Sequence, residues 1–363
     1  MKIQRKFINQ ILRNIICISV QTLLLTPAFC ENRNVEKYNN NFNVAYQISP
    51  AVPNGSINDV FVVNNYAYIC EEGGFSIVDI SDYKNPRRVS QHKMVATDAY
   101  VAGKYAYVLG RYDWEKSRKT EFHVIDISDI KHPFEVGRCE ITGLAEEVYL
   151  SENYAYTKGH KLILIEVSNP SKPKEVGIIN QDEKPTGLYI SDKHLYVASF
   201  ASADECVYPS FRVFDVSNPK SLSELDYTKP QDCFWRFWDI AVINAYAYAI
   251  SSDSLYTFNI NISSSPVKIS DHKFKINNNV GKYFYPKKIS VRGKYAYVIG
   301  NASGKIGDKL QLRKIDISLP SQPSLRSYYT AKGEAKELFV TDDLIFIASG
   351  KHGLIILNDI KNH

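Results

Sequence analysis

Short apolar runs alternate with polar turns along most of this chain, and one arrangement of them recurs seven times. Each copy opens with a β-rich run such as residues 60–63, turns through a polar pair such as Asn64-Asn65, and returns through a second run. Short runs joined by a two-residue polar turn predict a β-hairpin. The returning runs begin with Tyr66-Ala67-Tyr68, Tyr105-Ala106-Tyr107, Tyr154-Ala155-Tyr156, His194-Leu195-Tyr196, Tyr246-Ala247-Tyr248, Tyr295-Ala296-Tyr297 and Leu344-Ile345-Phe346.

A third apolar run follows each hairpin, and in most copies a fourth begins after a loop that contains proline. In the first copy the third run is residues 75–79, and the fourth begins near Arg87. Proline is tolerated in such a loop because no ladder hydrogen bond is needed from it. Four strands in a repeat of about 46 residues are typical of propeller blades. We therefore predict an all-β fold, a seven-bladed β-propeller of four-stranded antiparallel blades, over residues 43–363.

The two ends of the chain complement each other in this pattern. The seventh copy stops soon after Asp359, without a proline and without a fourth run. An unpaired β-like segment, residues 43–48, precedes the first copy. We expect this segment to form the outer strand of the last blade, which closes the ring and removes an exposed sheet edge.

Four of the first six copies continue into Asp-Ile-Ser or Asp-Val-Ser. The aspartates are Asp79, Asp126, Asp215 and Asp316. Aspartate after a strand commonly accepts hydrogen bonds from the backbone amides of the turn that follows. We expect this structural role for the four carboxylates in preference to a catalytic one.

The repeat resembles the bacterial LVIVD-repeat family over nearly the whole chain after residue 43. The best matches are Ser-Ile-Val-Asp-Ile-Ser at residues 76–81, His-Val-Ile-Asp-Ile-Ser at 123–128 and Arg-Val-Phe-Asp-Val-Ser-Asn-Pro at 212–219. Glu166, Asn259 and Asn358 replace the aspartate in weaker copies. The resemblance implies a β-propeller on an exported bacterial protein. It implies no particular activity, because one fold hosts many functions.

The first thirty residues have the layout of a secretory signal peptide. Four basic residues and no acid precede an interrupted apolar stretch, residues 15–25, which is short for a membrane span. Cleavage after Ala28 or after Cys30 fits the small residues there, and a lipid anchor on Cys30 is an alternative. We expect residues 1–30 to be a signal peptide, 31–42 a linker, and the protein to be periplasmic, on the cell surface or extracellular, with no transmembrane span after processing.

Export changes the charge balance of the chain. The full sequence has 44 Lys and Arg against 39 Asp and Glu, and four of the basic residues belong to the signal peptide. The remaining protein is almost neutral, which argues against nucleic acid as a partner. We expect a monomer whose partner is a protein or a glycan.

Cys206 and Cys233 fall in two connections that emerge on the same rim of the predicted propeller. An oxidising compartment allows such a pair to form a disulfide, and two reduced thiols are the alternative. The pattern gives no reason to expect that Cys70 and Cys139 pair.

The connections between second and third strands, and between a fourth strand and the next blade, are long and rich in aromatic residues. We call the rim that carries them the long-loop rim, and the opposite one the short-turn rim. Rigid aromatic side chains on loops are typical of recognition surfaces. Near Trp238 the alternative is that the rings plug the space between blades. The predicted ligand-binding residues are Tyr112, Trp114, Tyr208, Trp235, Arg236 and Tyr283.

No catalytic or metal-binding signature accompanies these features. The eight histidines are scattered, and the chain has no Gly-x-Ser-x-Gly elbow and no Cys-x-x-Cys pair. We predict no cofactor, no metal and a non-enzymatic binding function. The alternative is a polysaccharide hydrolase or lyase that uses rim carboxylates, with Asp113, Glu115, Asp204 and Glu205 as candidates. Three or more ionisable side chains converging on the central channel would favour the enzyme.

Overall fold

The computed structural model forms a ring of seven four-stranded antiparallel sheets, which confirms the predicted propeller. It describes residues 42–359 except 112–119, 180–182, 192, 204–205, 220–221, 229–235, 262–265, 275–282 and 304–308. Within the described part of the chain, no helix is long and apolar enough to cross a membrane.

Blades are numbered in chain order, and each inner strand comes first in its blade. Blade 1 has β2 (Ile57–Val63), β3 (Tyr66–Glu71), β4 (Gly74–Asp79) and β5 (Arg87–His92). Blade 2 has β6 (Ala96–Ala102), β7 (Tyr105–Arg111), β8 (Thr120–Asp126) and β9 (Phe134–Ile141). Blade 3 has β10 (Ala145–Ser151), β11 (Tyr154–Gly159), β12 (Leu162–Glu166) and β13 (Lys174–Ile179). Blade 4 has β14 (Lys184–Ser191), β15 (His194–Ala203), β16 (Cys206–Asp215) and β17 (Ser223–Thr228).

The remaining blades follow the same order until the ring closes. Blade 5 has β18 (Phe237–Ile243), β19 (Tyr246–Ser251), β20 (Ser254–Asn259) and β21 (Val267–Lys273). Blade 6 has β22 (Tyr283–Arg292), β23 (Tyr295–Ser303), β24 (Lys309–Asp316) and β25 (Ser324–Lys332). Blade 7 has β26 (Glu337–Val340), β27 (Leu344–Ala348), β28 (Leu354–Asp359) and, as its outer strand, β1 (Phe42–Ile48).

β1 pairs antiparallel with β28, from Phe42 opposite Asp359 to Ile48 opposite Leu354. This pairing confirms the closure expected for residues 43–48. It also gives β28 a partner on both sides, so that the outer edge of the last blade is formed by β1.

The core lies between neighbouring blades. Side chains alternate along each second strand, so Ala67 packs toward blade 7 while Tyr68 packs toward blade 2. Tyr68 meets the small side chains Ala99 and Ala106 there. Large rings set against small neighbours let adjacent sheets pack closely.

Tight turns close the short-turn rim. Asn64 has φ 53° and Gly103 has φ 58°, the left-handed conformation that two-residue hairpin turns require. At the same rim, the carboxylates of Asp79, Asp126 and Asp215 accept hydrogen bonds from the backbone N–H two residues later, at 2.7–2.8 Å.

The same turn hydrogen bond occurs in two further blades. Asp316 accepts it at 2.9 Å, and Asn259 keeps it at 3.0 Å with an amide oxygen. The structural role expected of the aspartates is therefore confirmed, and the substitution at Asn259 preserves it.

Candidate functional site

The seven inner strands bring one position of each repeat to the central channel. This position lies seven residues before the first residue of the aromatic pair in every copy. We call its residues the channel ring: Asp59, Asp98, Glu147, Gly187, Asp239, Lys288 and Glu337. All of them except Gly187 line a cavity of about 300 Å³.

A local irregularity precedes the ring residue in the first six blades. The register of each inner strand shifts just before it, as between Ile57 and Asp59 or between Phe237 and Asp239. One extra residue re-aims the side chains that follow a β-bulge. The next residue, such as Val60, then packs between the blades, while the ring residue lines the channel.

The three aspartates of the ring each bind the neighbouring blade. Asp59 accepts a hydrogen bond from the backbone N–H of Ala99 at 2.9 Å, and Asp98 accepts one from Val148 at 2.7 Å. Asp239 accepts one from Ile289 at 3.0 Å. A buried carboxylate that accepts a backbone N–H holds two blades in register and satisfies the donor.

Two lysines supply the positive charge of the channel. Lys158, which pairs with Glu147 in the hairpin of blade 3, lies 2.6 Å from its carboxylate. Lys288 bonds the same carboxylate from blade 6 and lies 2.6 Å from Glu337. Tyr149 donates its hydroxyl hydrogen to Glu147 at 2.8 Å. Both oxygens of Glu147 are therefore engaged.

The carboxylates of the channel ring differ widely in pKa. Loss of water raises the pKa of Asp59 to about 8, helped by the negative charge of Glu337. Burial also raises the pKa of Asp239 to about 7 and that of Asp98 well above its ordinary range. Burial opposes ionisation of Glu147 too, but Lys158 and Lys288 outweigh it and hold the pKa at about 2. The channel thus combines protonated and ionised carboxylates at neutral pH.

Asp59, Asp98 and Glu337 form the group of described residues that could hold a hard cation. One oxygen from each lies within 4.8 Å of the others. Carboxylate oxygens suit Ca²⁺ or Mg²⁺. The ammonium of Lys288 already contacts Glu337, so a lysine side chain already supplies positive charge to this acidic group. The predicted lack of a metal stays a prediction.

An aromatic layer lies one step further along the inner strands. Phe61 contacts Tyr100 and Phe339, with ring centroids 4.8 and 5.1 Å apart. Tyr149 and Tyr189 continue the layer in blades 3 and 4, and the cavity extends past it to Arg292 near the short-turn rim. Arg292 binds Asp342 at 2.7 Å. The cavity thus runs from the channel ring toward the short-turn rim.

The structure describes few of the predicted rim residues. Tyr112, Trp114 and Trp235 lie outside the described residues, as do the carboxylate candidates Asp113, Glu115, Asp204 and Glu205. Tyr208 lies in β16 and Tyr283 in β22, where the backbone alone is described. The side chain of Cys206 and the whole of Cys233 are also outside the described part, while Cys70 and Cys139 are free thiols.

Arg236 is the predicted rim residue whose side chain is described. Its guanidinium lies 3.9 Å from the centroid of Trp238 and 5.4 Å from that of Phe200. Trp238 is the second residue of β18 and also packs against the core between blades 5 and 6. It therefore serves both of the roles that the sequence left open, as a filler between blades and as part of the rim surface.

Comparisons with known proteins agree with this architecture. The family model described as LVIVD repeat matches residues 54–91, 95–141, 142–181 and 285–331. No curated protein sequence matches the chain.

Solved structures are similar to this chain in fold at low sequence identity. BamB from Moraxella catarrhalis is 10% identical with a TM-score of 0.56, covering 87% of this chain and 99% of its own. The WD40 β-propeller domain of Doa1 is 8% identical with a TM-score of 0.59, covering 89% and 98%. KlAtg21, in complex with the coiled coil of AgAtg16, is 11% identical with a TM-score of 0.60, covering 85% and 96%. The chain thus carries LVIVD repeats in four stretches, and it folds as a seven-bladed β-propeller.

Proposed function

We propose that this protein is an exported, monomeric and non-enzymatic binding propeller that recognises a protein or a glycan through its long-loop rim. The observation that carries the proposal is the stack of Arg236 on Trp238 and Phe200. Aromatic residues and arginine are the side chains that contribute most at recognition surfaces.

The stack gives Arg236 a defined geometry before any ligand arrives. A guanidinium that lies over aromatic rings keeps its N–H edge available for carboxylate or hydroxyl oxygens. Pre-organisation reduces the entropy lost on binding. Tyr285, on the adjoining part of the same rim, is 50% exposed and adds apolar contact area there.

Propellers of similar fold support a binding role. KlAtg21 was solved in complex with a coiled coil, so a propeller of this general shape presents a surface that a protein segment can use. The basic residues and apolar stretch at the beginning of the chain support export.

A binding screen tests the proposal. The protein lacking residues 1–30 is applied to a glycan array and used to capture partners from an envelope extract. Arg236→Ala, Trp114→Ala and Trp235→Ala should each weaken a ligand found in this way by about thirtyfold, the effect of removing a typical anchor residue.

A matched control comes from the short-turn rim. Lys84 lies 6.0 Å from the ring centroid of Tyr83 there, so Lys84→Ala removes a comparable cation from the opposite face. Normal binding by the three rim variants together with loss of binding by Lys84→Ala would place the recognition surface on the other rim.

The channel ring favours a second candidate function, hydrolysis or elimination on a small saccharide. Six ionisable ring residues converge on the channel, and Asp59, whose pKa burial raises to about 8, lies beside the carboxyl group of Glu337, which gives a candidate acid and a candidate base. A cavity of about 300 Å³ is small for a polysaccharide. The aspartates are also engaged in bonds between blades, which favours the binding function over this candidate.

The second candidate has its own test. Turnover of small aryl glycosides or unsaturated uronides, lost in Asp59→Asn while the melting temperature is kept, would establish chemistry in the channel. Absence of turnover between about pH 5 and about pH 9, a range that spans the raised pKa values of Asp59 and Asp239, would exclude these substrate classes.

A further inference from the structure

Blade 6 buries an arginine whose charge has no acidic partner among the described residues. Arg313 lies on β24, three residues before the turn residue Asp316, and is 3% exposed. Its Nε donates to the side-chain oxygen of Gln311 at 2.8 Å, and Nη1 donates to the backbone carbonyl of Phe274. These bonds use two of the five guanidinium N–H groups, and both acceptors are uncharged.

Two other blades place a basic residue at the same position and give it carboxylates. In blade 2, His123 contacts Glu135 at 2.7 Å and Glu121 at 3.5 Å. In blade 4, Arg212 contacts Glu224 at 3.2 Å and Glu183 at 3.4 Å. Blades 2 and 4 therefore surround the basic side chain at this position with glutamates.

Blade 6 keeps the base and lacks all of these glutamates. The register pairs Ile125 with Glu135 and Phe214 with Glu224, whereas Ile315 pairs with Leu325.

The other two partners are replaced in the same way. Gln311 stands two residues before Arg313, as Glu121 stands before His123. Phe284 stands four residues before Lys288, as Glu183 stands before Gly187. The internal repeats thus identify the missing partner of Arg313 as a carboxylate.

The described residues around Arg313 do not supply that charge. The guanidinium lies 3.8 Å from the ring centroid of Phe284 and 5.6 Å from that of Phe274. Burial lowers the pKa of Arg313 to about 9. Burial and the positive charge of Arg313 also lower the pKa of the neighbouring His272. A buried charge without a counter-charge is costly in an apolar environment.

Gln311 provides a second donor beside the guanidinium. It is 0% exposed, and its side-chain nitrogen has no hydrogen-bond partner in the described structure. The bond from Arg313 fixes the amide with its oxygen toward the guanidinium. The unsatisfied N–H groups of Gln311 then remain for an acceptor, since buried donors are normally paired.

We propose that Arg313 and Gln311 form a binding site for a carboxylate ligand, which occupies the place of the glutamates in blades 2 and 4. The site lies between blades 5 and 6 at the long-loop end, where Phe274 follows β21 and Phe284 lies at the start of β22. It is separate from the stack of Arg236 and does not depend on which partner binds the rim.

Calorimetric titration with sodium formate, sodium acetate and inorganic phosphate, at pH 7 and constant ionic strength in sodium chloride, tests the site. Formate should bind, and Arg313→Met should weaken its affinity by about tenfold or more, as expected for loss of a charge-assisted pair. In sodium chloride alone, Arg313→Met should melt no lower than the parent protein, because the variant removes a buried charge that has no acidic partner in the described part of the chain.

Leu325→Glu is the second variant, because it restores the glutamate of blades 2 and 4 within the chain. It should abolish formate binding and raise the melting temperature. The control is Arg212→Met in blade 4. It should leave formate binding unchanged and lower stability, because it removes the cation that contacts Glu183 and Glu224. Equal formate affinity in Arg313→Met, or no formate binding by the parent protein, would overturn the site. Tighter binding of phosphate than of formate would overturn its assignment to carboxylates.

Discussion

Lys288 of blade 6 donates a hydrogen bond to Glu147 of blade 3, which lies 141 residues earlier in the chain. The same ammonium contacts Glu337 of blade 7. Most contacts in a propeller join strands of one blade or neighbouring blades, whereas this one spans the channel. Lys288 thus links three parts of the ring through a single charge.

Loss of that charge should destabilise the fold. Lys288→Met leaves Glu337 without its ammonium partner and leaves Lys158 as the remaining ammonium partner of Glu147. Removing one partner of a buried ion pair costs about 3–5 kcal/mol. We expect the free energy of unfolding in urea to fall by this amount. Lys287→Met changes the exposed neighbouring residue and should have little effect. An unchanged unfolding midpoint for Lys288→Met would show that the cross-channel bond is dispensable.

Stability should depend on pH through the channel carboxylates. The pKa values of Asp59 and Asp239 are about 8 and about 7 in the folded protein, against 3.8 ordinarily. Between these values the folded state binds more protons than the unfolded chain, so the free energy of unfolding falls as pH rises. Glu147 has a pKa of about 2 against 4.5, so its stabilisation is lost as pH falls below 4.5. We expect stability, measured by urea unfolding, to be greatest near about pH 4, where the rising contribution of Glu147 balances the falling contribution of the two aspartates.

Asp239→Asn removes one of these titratable groups. The amide oxygen can still accept the hydrogen bond from Ile289, but it no longer ionises. Each pKa unit corresponds to about 1.4 kcal/mol, so the variant should lose much less stability than the parent between about pH 5 and pH 8. A parent protein whose stability is flat or rising over this range would contradict the raised pKa values.

Closure of the ring by β1 should be essential to stability. Deletion of residues 31–50 removes the outer strand of blade 7 and exposes the edge of β28. We expect a sharp fall in melting temperature by circular dichroism. Tyr46→Thr, which keeps the strand and changes an exposed side chain, is the matched control and should melt near the parent value. Equal melting of the deletion variant and the control would refute closure.

The predicted disulfide between Cys206 and Cys233 is open to direct measurement. After secretion into an oxidising compartment, mass spectrometry without reduction should find one cross-linked peptide pair and two free thiols, Cys70 and Cys139. A bridge that closes a loop of this length stabilises by roughly 3 kcal/mol. Cys206→Ser should therefore lower the melting temperature of the oxidised protein. Free thiols at both Cys206 and Cys233 would mean that the pair does not form.

The fold was accessible to sequence reasoning because every repeat carries the same local signals. Tyr66 and Tyr68, the turn at Asn64 and the Asp79 cap each indicate one strand end, and seven copies reinforce one another. The unpaired segment before residue 57 predicted β1 because the last copy lacks its fourth strand. Local pattern and global closure agree throughout this chain.

The channel ring was not predicted because its residue type changes from copy to copy. Asp59, Gly187 and Lys288 share a position and little chemistry, so no repeated letter marks it. Its constant distance before the aromatic pair was the available signal. The glutamates missing around Arg313 also became visible only once strand register placed Leu325 opposite Ile315.

Blade 7 also has a consequence for the order of events during synthesis. β1 is made before the other described strands, yet its partner β28 is the last of them to appear, so β1 stays unmatched until the rest of the ring has been synthesised. Pairing over such a sequence separation is slow. A circular permutant that joins residue 359 to residue 42 and opens the chain between blades 3 and 4 builds each blade from contiguous sequence, and it should refold faster than the natural arrangement.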